Sequence, residues 1–303
     1  MKKTFYSNGK LLLTGEYLVL DGAKSLALPT KFGQNLIVEK GANQEIKWTS
    51  YDADERIWFV ESISFNAIKT ESVFENESVK NTLIAILHEA YLLNPKQIDS
   101  SEGFVVSTQL TFPRKWGLGT SSTLINNIAQ WFKVDAFVLL KNSFGGSGYD
   151  IACAQNDCPI VYHLEKGKPI IEKVNFNPIF TNAIYFVYLN QKQSSKEAIA
   201  SYNEKKSNLE SYKKTINKIT DKVLKSNDHN AFSQALNDHE KELSSILEMK
   251  TVKQTLFPDF KGAIKSLGAW GGDFVLVVSQ EDPAPYFVSK GYETVIPYCK
   301  MIL

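Results

Sequence analysis

The alternation of apolar and polar positions divides the chain into short strand-like runs and longer helical stripes. Residues 10 to 20, KLLLTGEYLVL, place apolar residues on both sides of a polar TGEY insert, which predicts two strands or a strand with a bent return. LIVEK at 36–40 and IWFVES at 57–62 are rich in branched and aromatic residues and predict further strands. KNTLIAILHEAYLL at 80–93 carries apolar residues at helical spacing. GFVVSTQL at 103–110 alternates as a strand does, and TLINNIAQWF then predicts a helix after an intervening FPRKWGLGTSS loop. PIVYHL at 159–164 and AIYFVYL at 183–189 are strand candidates. Residues 196–250 contain no Pro or Gly, are highly charged, and keep apolar residues at regular spacing, so two or three helices are expected there. GAIKSLGAWGGDFVLVVS at 262–279 predicts a helix, a glycine turn and a strand.

The length of 303 residues suits two domains, and the turn-forming stretch NFNPIFTN at 175–182 sets the expected boundary, giving domains 1–178 and 179–303. Hydrophobic residues at 43% and charged residues at 22% are the balance of a soluble globular protein. A net charge of +1 argues against a nucleic-acid partner. Cys153, Cys158 and Cys299 are odd in number and lack paired spacing, so neither a disulfide framework nor a zinc site is expected. The apolar run Leu11–Leu13 is too short for a signal peptide or a membrane span, and a cytoplasmic location is expected. His88-Glu89 has no second His at metalloprotease spacing. Trp131, Phe132 and Tyr91 fall on predicted helices and are expected in a core.

Gly117, Leu118, Gly119, Thr120, Ser121 and Ser122 lie between a predicted strand and a predicted helix. Unpaired N–H groups and the positive end of a helix dipole favour an anion at such a place. Arg114 and Lys115 stand just before it and add charge. A glycine turn with a Thr/Ser N-cap is the plain alternative. There is no GxxxxGK[ST], and no HRD or DFG.

PRKWGLGTSS resembles the second motif of the GHMP kinases, with Thr120 at the first Ser and Ser122 at the small Ala. GKLLLTGEYLVLDG at 9–22 resembles their first motif. LGAWGGDFVLVV at 267–278 resembles the third as it stands in phosphomevalonate kinases, and GGSGYDIACA at 145–154 resembles the segment with the catalytic aspartate. The four occur in the family's order.

The resemblance implies an α+β fold of two domains, a ribosomal-S5-domain-2-like N-terminal part and a ferredoxin-like C-terminal part. It implies an ATP-dependent kinase closest to phosphomevalonate kinase, in isoprenoid precursor phosphorylation. Mevalonate and sugar kinases, and a catalytically weakened nucleotide- or metabolite-binding relative, remain as alternatives. Asp150 and Lys10 are implied as the catalytic pair, and Lys115 with residues 117–122 as the ATP site. Glu16, Tyr17, Ser147, Ser194, Ser195, Gly271 and Gly272 are implied at the acceptor, with Gly268 and Asp273 completing the third motif. The plain alternatives are a turn residue for Asp150, a solvated strand-end lysine for Lys10, a surface turn for Glu16 and a helix cap for the two serines. Magnesium is expected with ATP, with Thr120 or Ser121 as its protein ligand. The expected partners are ATP and a small acceptor, with no membrane, in a monomer or homodimer. Trp270 departs from the family pattern by replacing a glycine, and the stretch 131–150 is shorter than the family's.

Overall fold

The computed structural model describes residues 2–70, 78–192, 195–205 and 209–303. The chain forms two compact, interleaved units. The first comprises residues 1–9, 32–114 and 118–155, and the second comprises 10–31, 115–117 and 156–303. The expected boundary at 178/179 falls inside the second unit.

Strands β1 (Lys3–Leu12) and β2 (Ser25–Lys40) each contribute to both units. In the first unit, β3 (Glu45–Tyr51) and β4 (Ile57–Ser64) form an antiparallel hairpin. Helices α1 (Phe65–Lys69), α2 (Val79–Leu93) and α3 (Lys96–Asp99) follow. Strand β5 (Phe104–Leu110) then inserts between β3 and β2, parallel to the former and antiparallel to the latter. Helices α4 (Thr120–Phe132), α5 (Ala136–Ser143) and α6 (Tyr149–Ala154) complete the unit.

The helical spacing of α2 buries Leu83, Ile84, Ile86, Leu87 and Ala90, and Ser78 caps its first turn by accepting from the Asn81 N–H. That face joins Leu36, Val38, Trp48 and Val106 of the sheet and Ile125, Ile128 and Trp131 of α4 in one apolar core. Trp131 and Phe132 are buried as expected. Asp135 caps α5 by accepting from the Phe137 and Val138 N–H groups, a structural task.

In the second unit, the start of β2 pairs with β6 (Ile160–Glu165), which pairs with β7 (Lys168–Lys173). Strand β8 (Ile184–Tyr188) belongs to a four-stranded antiparallel sheet. Helices α7 (Ser195–Lys205), α8 (Leu209–Lys225) and α9 (His229–Leu247) occupy the charged region among the described residues, within the two or three helices its pattern predicts. Helix α10 (Val252–Leu256), β9 (Ala263–Ser266), β10 (Phe274–Val278), α11 (Ala284–Ser289), β11 (Val295–Pro297) and α12 (Tyr298–Met301) end the chain. The sheet order is β11-β8-β10-β9.

One expectation is corrected here and one alternative is decided. Residues 263–266 form strand β9, not a helix, because Ala263–Ser266 pair with Val275–Val278 and are buried on both faces. Of the two readings of 10–20, the strand with a bent return holds: β1 ends at Leu12 and Leu18–Asp21 form a 3-10 turn. Positive φ at Gly15 (86°) and Tyr17 (63°) turns the chain out of the extended direction, and Gly22, also left-handed, closes the turn.

Candidate active site

The glycine loop leads directly into α4. Gly119 stands at its N-cap with φ 99°, and no side chain caps the helix. The donors of the first turn are therefore available to an anion, backed by the helix dipole. The Ser122 hydroxyl donates to the Gly119 carbonyl at 3.0 Å, and the Thr123 hydroxyl donates to Gln34 Oε1 at 2.7 Å. Ser121 is exposed and Thr120 half-buried, while Leu118 is buried and anchors the loop. Lys115 is exposed, and its carbonyl accepts from the Tyr188 hydroxyl at 3.2 Å. The Arg114 guanidinium lies 4.4 Å over the Trp58 ring, a cation–π contact rather than a free charge.

Asp150 lies in the first turn of α6, half-buried, behind Gly148 at the N-cap with φ 89°. Helix α6 packs on α4, so the unit that carries the uncapped helix also carries the carboxylate. Ser147 is buried one residue before Gly148. Lys10 is half-buried on β1, in the part of the chain that belongs to the second unit.

The second unit brings the first and third motifs together. Gly117 has φ 70°, and a Cβ there would stand 2.4 Å from the Asp273 carboxylate. Asp273 has φ 54° and its N–H donates to the Gln191 carbonyl; burial, with a smaller push from the Asp273 carboxylate, raises the pKa of Tyr188 above the usual phenol value. The Trp270 N–H donates to the Tyr17 hydroxyl at 3.0 Å, and its indole Nε1 donates to the Lys250 carbonyl at 3.1 Å. Tyr17 packs on Tyr202 with ring centroids 5.5 Å apart. Trp270 is thus a buried wall of the third-motif turn, tied to the first motif.

Glu16 is 3% exposed. Its Oε1 accepts from Lys265 Nζ at 2.5 Å, and Lys265 also donates to the Ser266 carbonyl at 2.6 Å. Glu240 stands 3.5 Å from the same ammonium and accepts from the Ser266 N–H and hydroxyl. His239 Nε2 accepts from the Gly15 N–H at 2.9 Å, which places its proton on Nδ1. Burial pushes the Glu16 carboxyl up to about 7 against the pull of Lys265, and raises that of Glu240. Burial and the neighbouring Lys265 hold His239 well below the ordinary histidine value.

Glu16 therefore spends its carboxylate on Lys265, and Tyr17 its hydroxyl on Trp270. Gly271 is half-buried and Gly272 buried in the same turn as Trp270. Ser194 and the side chain of Ser195 lie outside the described residues. Sequence reading missed His239, Glu240 and Lys265. Their signal is present: His239 and Glu240 continue the stripe Phe232, Ala235, Leu236, Leu243, Ile246 and Leu247, where polar residues are out of place.

Among solved structures, the mevalonate kinase of Methanococcus jannaschii aligns with a TM-score of 0.71 at 16% identity, over 97% of this chain and 96% of that one. The chain has the GHMP-kinase fold. The phosphomevalonate kinase of Streptococcus pneumoniae, solved with phosphomevalonate and AMPPNP, shares that fold at a TM-score of 0.71 and 13% identity, over 97% and 99% of the two chains. The Lactococcus lactis galactokinase, solved with galactose, does so at 0.67 and 14%, over 95% and 88%. No protein-family model matches the chain, and no curated protein matches it in sequence. The seven-stranded mixed sheet, the four-stranded antiparallel sheet and their helices make up the α+β architecture of the GHMP-kinase fold. Among the described residues no helix is long and apolar enough to cross a membrane.

Proposed function

We propose that the chain is an ATP-dependent small-molecule kinase of the GHMP family, acting on an isoprenoid precursor such as phosphomevalonate. The observation that carries the reading is the pairing of an uncapped, glycine-led helix α4 with Asp150 on the adjoining helix α6. The order of the four motifs and the fold support it.

In this reading the first-turn N–H groups of α4 hold the polyphosphate, joined by the hydroxyls of Thr120 and Ser121 and the charge of Lys115. Gly119, left-handed at the N-cap of α4, lets backbone approach the phosphates. Asp150 orients the acceptor oxygen and accepts its proton where the acceptor is a hydroxyl, while the bond from the β–γ bridging oxygen to the γ-phosphorus breaks and ADP leaves. Lys10 offsets charge on the transferred oxygens. Glu16 acts behind the site rather than on the acceptor, because its carboxylate is held by Lys265. Magnesium would enter with the nucleotide, with Thr120 or Ser121 as its protein ligand, and would supply neutralising charge at the phosphates.

ATP consumption measured with magnesium against phosphomevalonate, mevalonate, galactose, homoserine and a blank tests the reading. Acceptor-dependent ADP release should fall by about 100- to 10,000-fold in Asp150→Asn with the melting temperature retained. Near-normal turnover in that variant would remove Asp150 from the mechanism. Binding of ATP with no turnover on any acceptor would favour a ligand-binding relative.

A further inference from the structure

Four buried ionisable side chains of the second unit form one connected group. Glu16 comes from the first-motif turn, His239 and Glu240 from α9, and Lys265 from β9. Tyr17 is the further titratable neighbour of Glu16. One ammonium thus faces two carboxylates and a neutral imidazole in a site closed to water. Removing charges from water is expensive, so the group persists only with mutual pairing and hydrogen bonds.

Its connections point one way. His239 takes the Gly15 N–H, Lys265 takes Glu16, and Lys265 and Glu240 together take the carbonyl, N–H and hydroxyl of Ser266. Ser266 immediately precedes the third-motif turn, and the Trp270 N–H of that turn reaches back to Tyr17. The turn at 14–17 and the turn at 267–273 are therefore tied at two places, once through charge and once through Tyr17. Glycine is required at 15, where a Cβ would stand 2.1 Å from Ser25 Oγ, so this turn has little room to relax on its own.

We propose that Lys265 is a positioning residue, which through Glu16, Glu240 and Ser266 holds the first- and third-motif turns in a fixed register for phosphoryl transfer. Lys265 is fully buried and acts through these partners. The kinetic part rests on the kinase reading; the structural part does not.

Amide hydrogen exchange on the full chain tests the structural part, comparing wild type with Lys265→Met, Lys265→Arg and Glu16→Gln. Lys265→Met should speed exchange at 14–18 and 266–272 by about tenfold or more, with β8 and β10 within about twofold, and Lys265→Arg should restore most of the protection. Unchanged exchange at the two turns would overturn the proposal. So would acceleration spread evenly over β8 and β10, which marks mere loss of stability. Where Lys265→Met does not fold, Glu16→Gln carries the test, because the amide keeps the shape and one hydrogen bond while removing the charge. In turnover assays Lys265→Met should lower kcat by about tenfold or more with the KM for ATP within about threefold, and Lys265→Arg should recover it. A rise in the KM for ATP with kcat intact would overturn the positioning role. Local exchange as expected, beside a wild type that consumes no ATP with any acceptor, would overturn the kinase reading and uphold the tie between the turns.

Discussion

At Gly117 the backbone and the space around it make the same demand. The φ of 70° is a region that favours glycine, and the Asp273 carboxylate occupies the place of a Cβ. Gly117→Ala should cost about 1–3 kcal/mol, read from denaturant unfolding, and adding Asp273→Gly should recover part of the loss. A second residue-scale prediction concerns pH. Folded Glu16 holds its proton more tightly than the unfolded chain does, so it contributes stability at low pH that is lost as pH rises from 4.5 through about 7. The magnitude is on the order of 3 kcal/mol. His239 works in the opposite sense: its folded value is depressed, so its contribution is present above 6.5 and lost as pH falls. The two offset each other in the window between. In Glu16→Gln the Glu16 slope is removed while those of His239 and Glu240 remain, so the melting temperature should drop more steeply than that of wild type between pH 7 and pH 5. Parallel curves would mean that Glu16 does not change its protonation on folding.

Among the elements, α9 matters most to the buried group, since it supplies both His239 and Glu240. Its N-cap is Asp228, which accepts from the Asn230 and Ala231 N–H groups at 2.9 Å. Asp228→Ala should cost about 1 kcal/mol in unfolding experiments, leaving the pH dependence of stability unchanged because Asp228 is exposed and stands about three helical turns before His239 on α9. The charged region from α7 to α9 was legible because its apolar stripes repeat locally. Strand β9 was not, because its four residues carry no period long enough to decide, and pairing with β10 makes it a strand.

For the whole molecule, the kinase reading requires nucleotide binding that survives loss of the catalytic carboxylate. ATP at about one hundred times its Kd should stabilise the chain by about 2.7 kcal/mol, visible as a thermal shift of similar size in wild type and Asp150→Asn. A shift absent from both would argue against the α4 loop as a nucleotide site. The interleaving of the units was not legible in the sequence. Turn composition at 175–182 marks a connection between strands, but β1 and β2 each pass through both units, so no single cut separates them.

The sequence by itself determined the order of the motifs, the glycine loop before α4 and most of the helices and strands. These depend on residues within a few turns of one another, where propensity, spacing and capping act. Only the tertiary structure decided what Glu16 does. Its partner Lys265 is 249 positions away, and the Gly15 N–H meets His239 across 224. Burial converts those meetings into shifted protonation and a tie between two motifs, and burial is a property of the packed chain rather than of any segment of it.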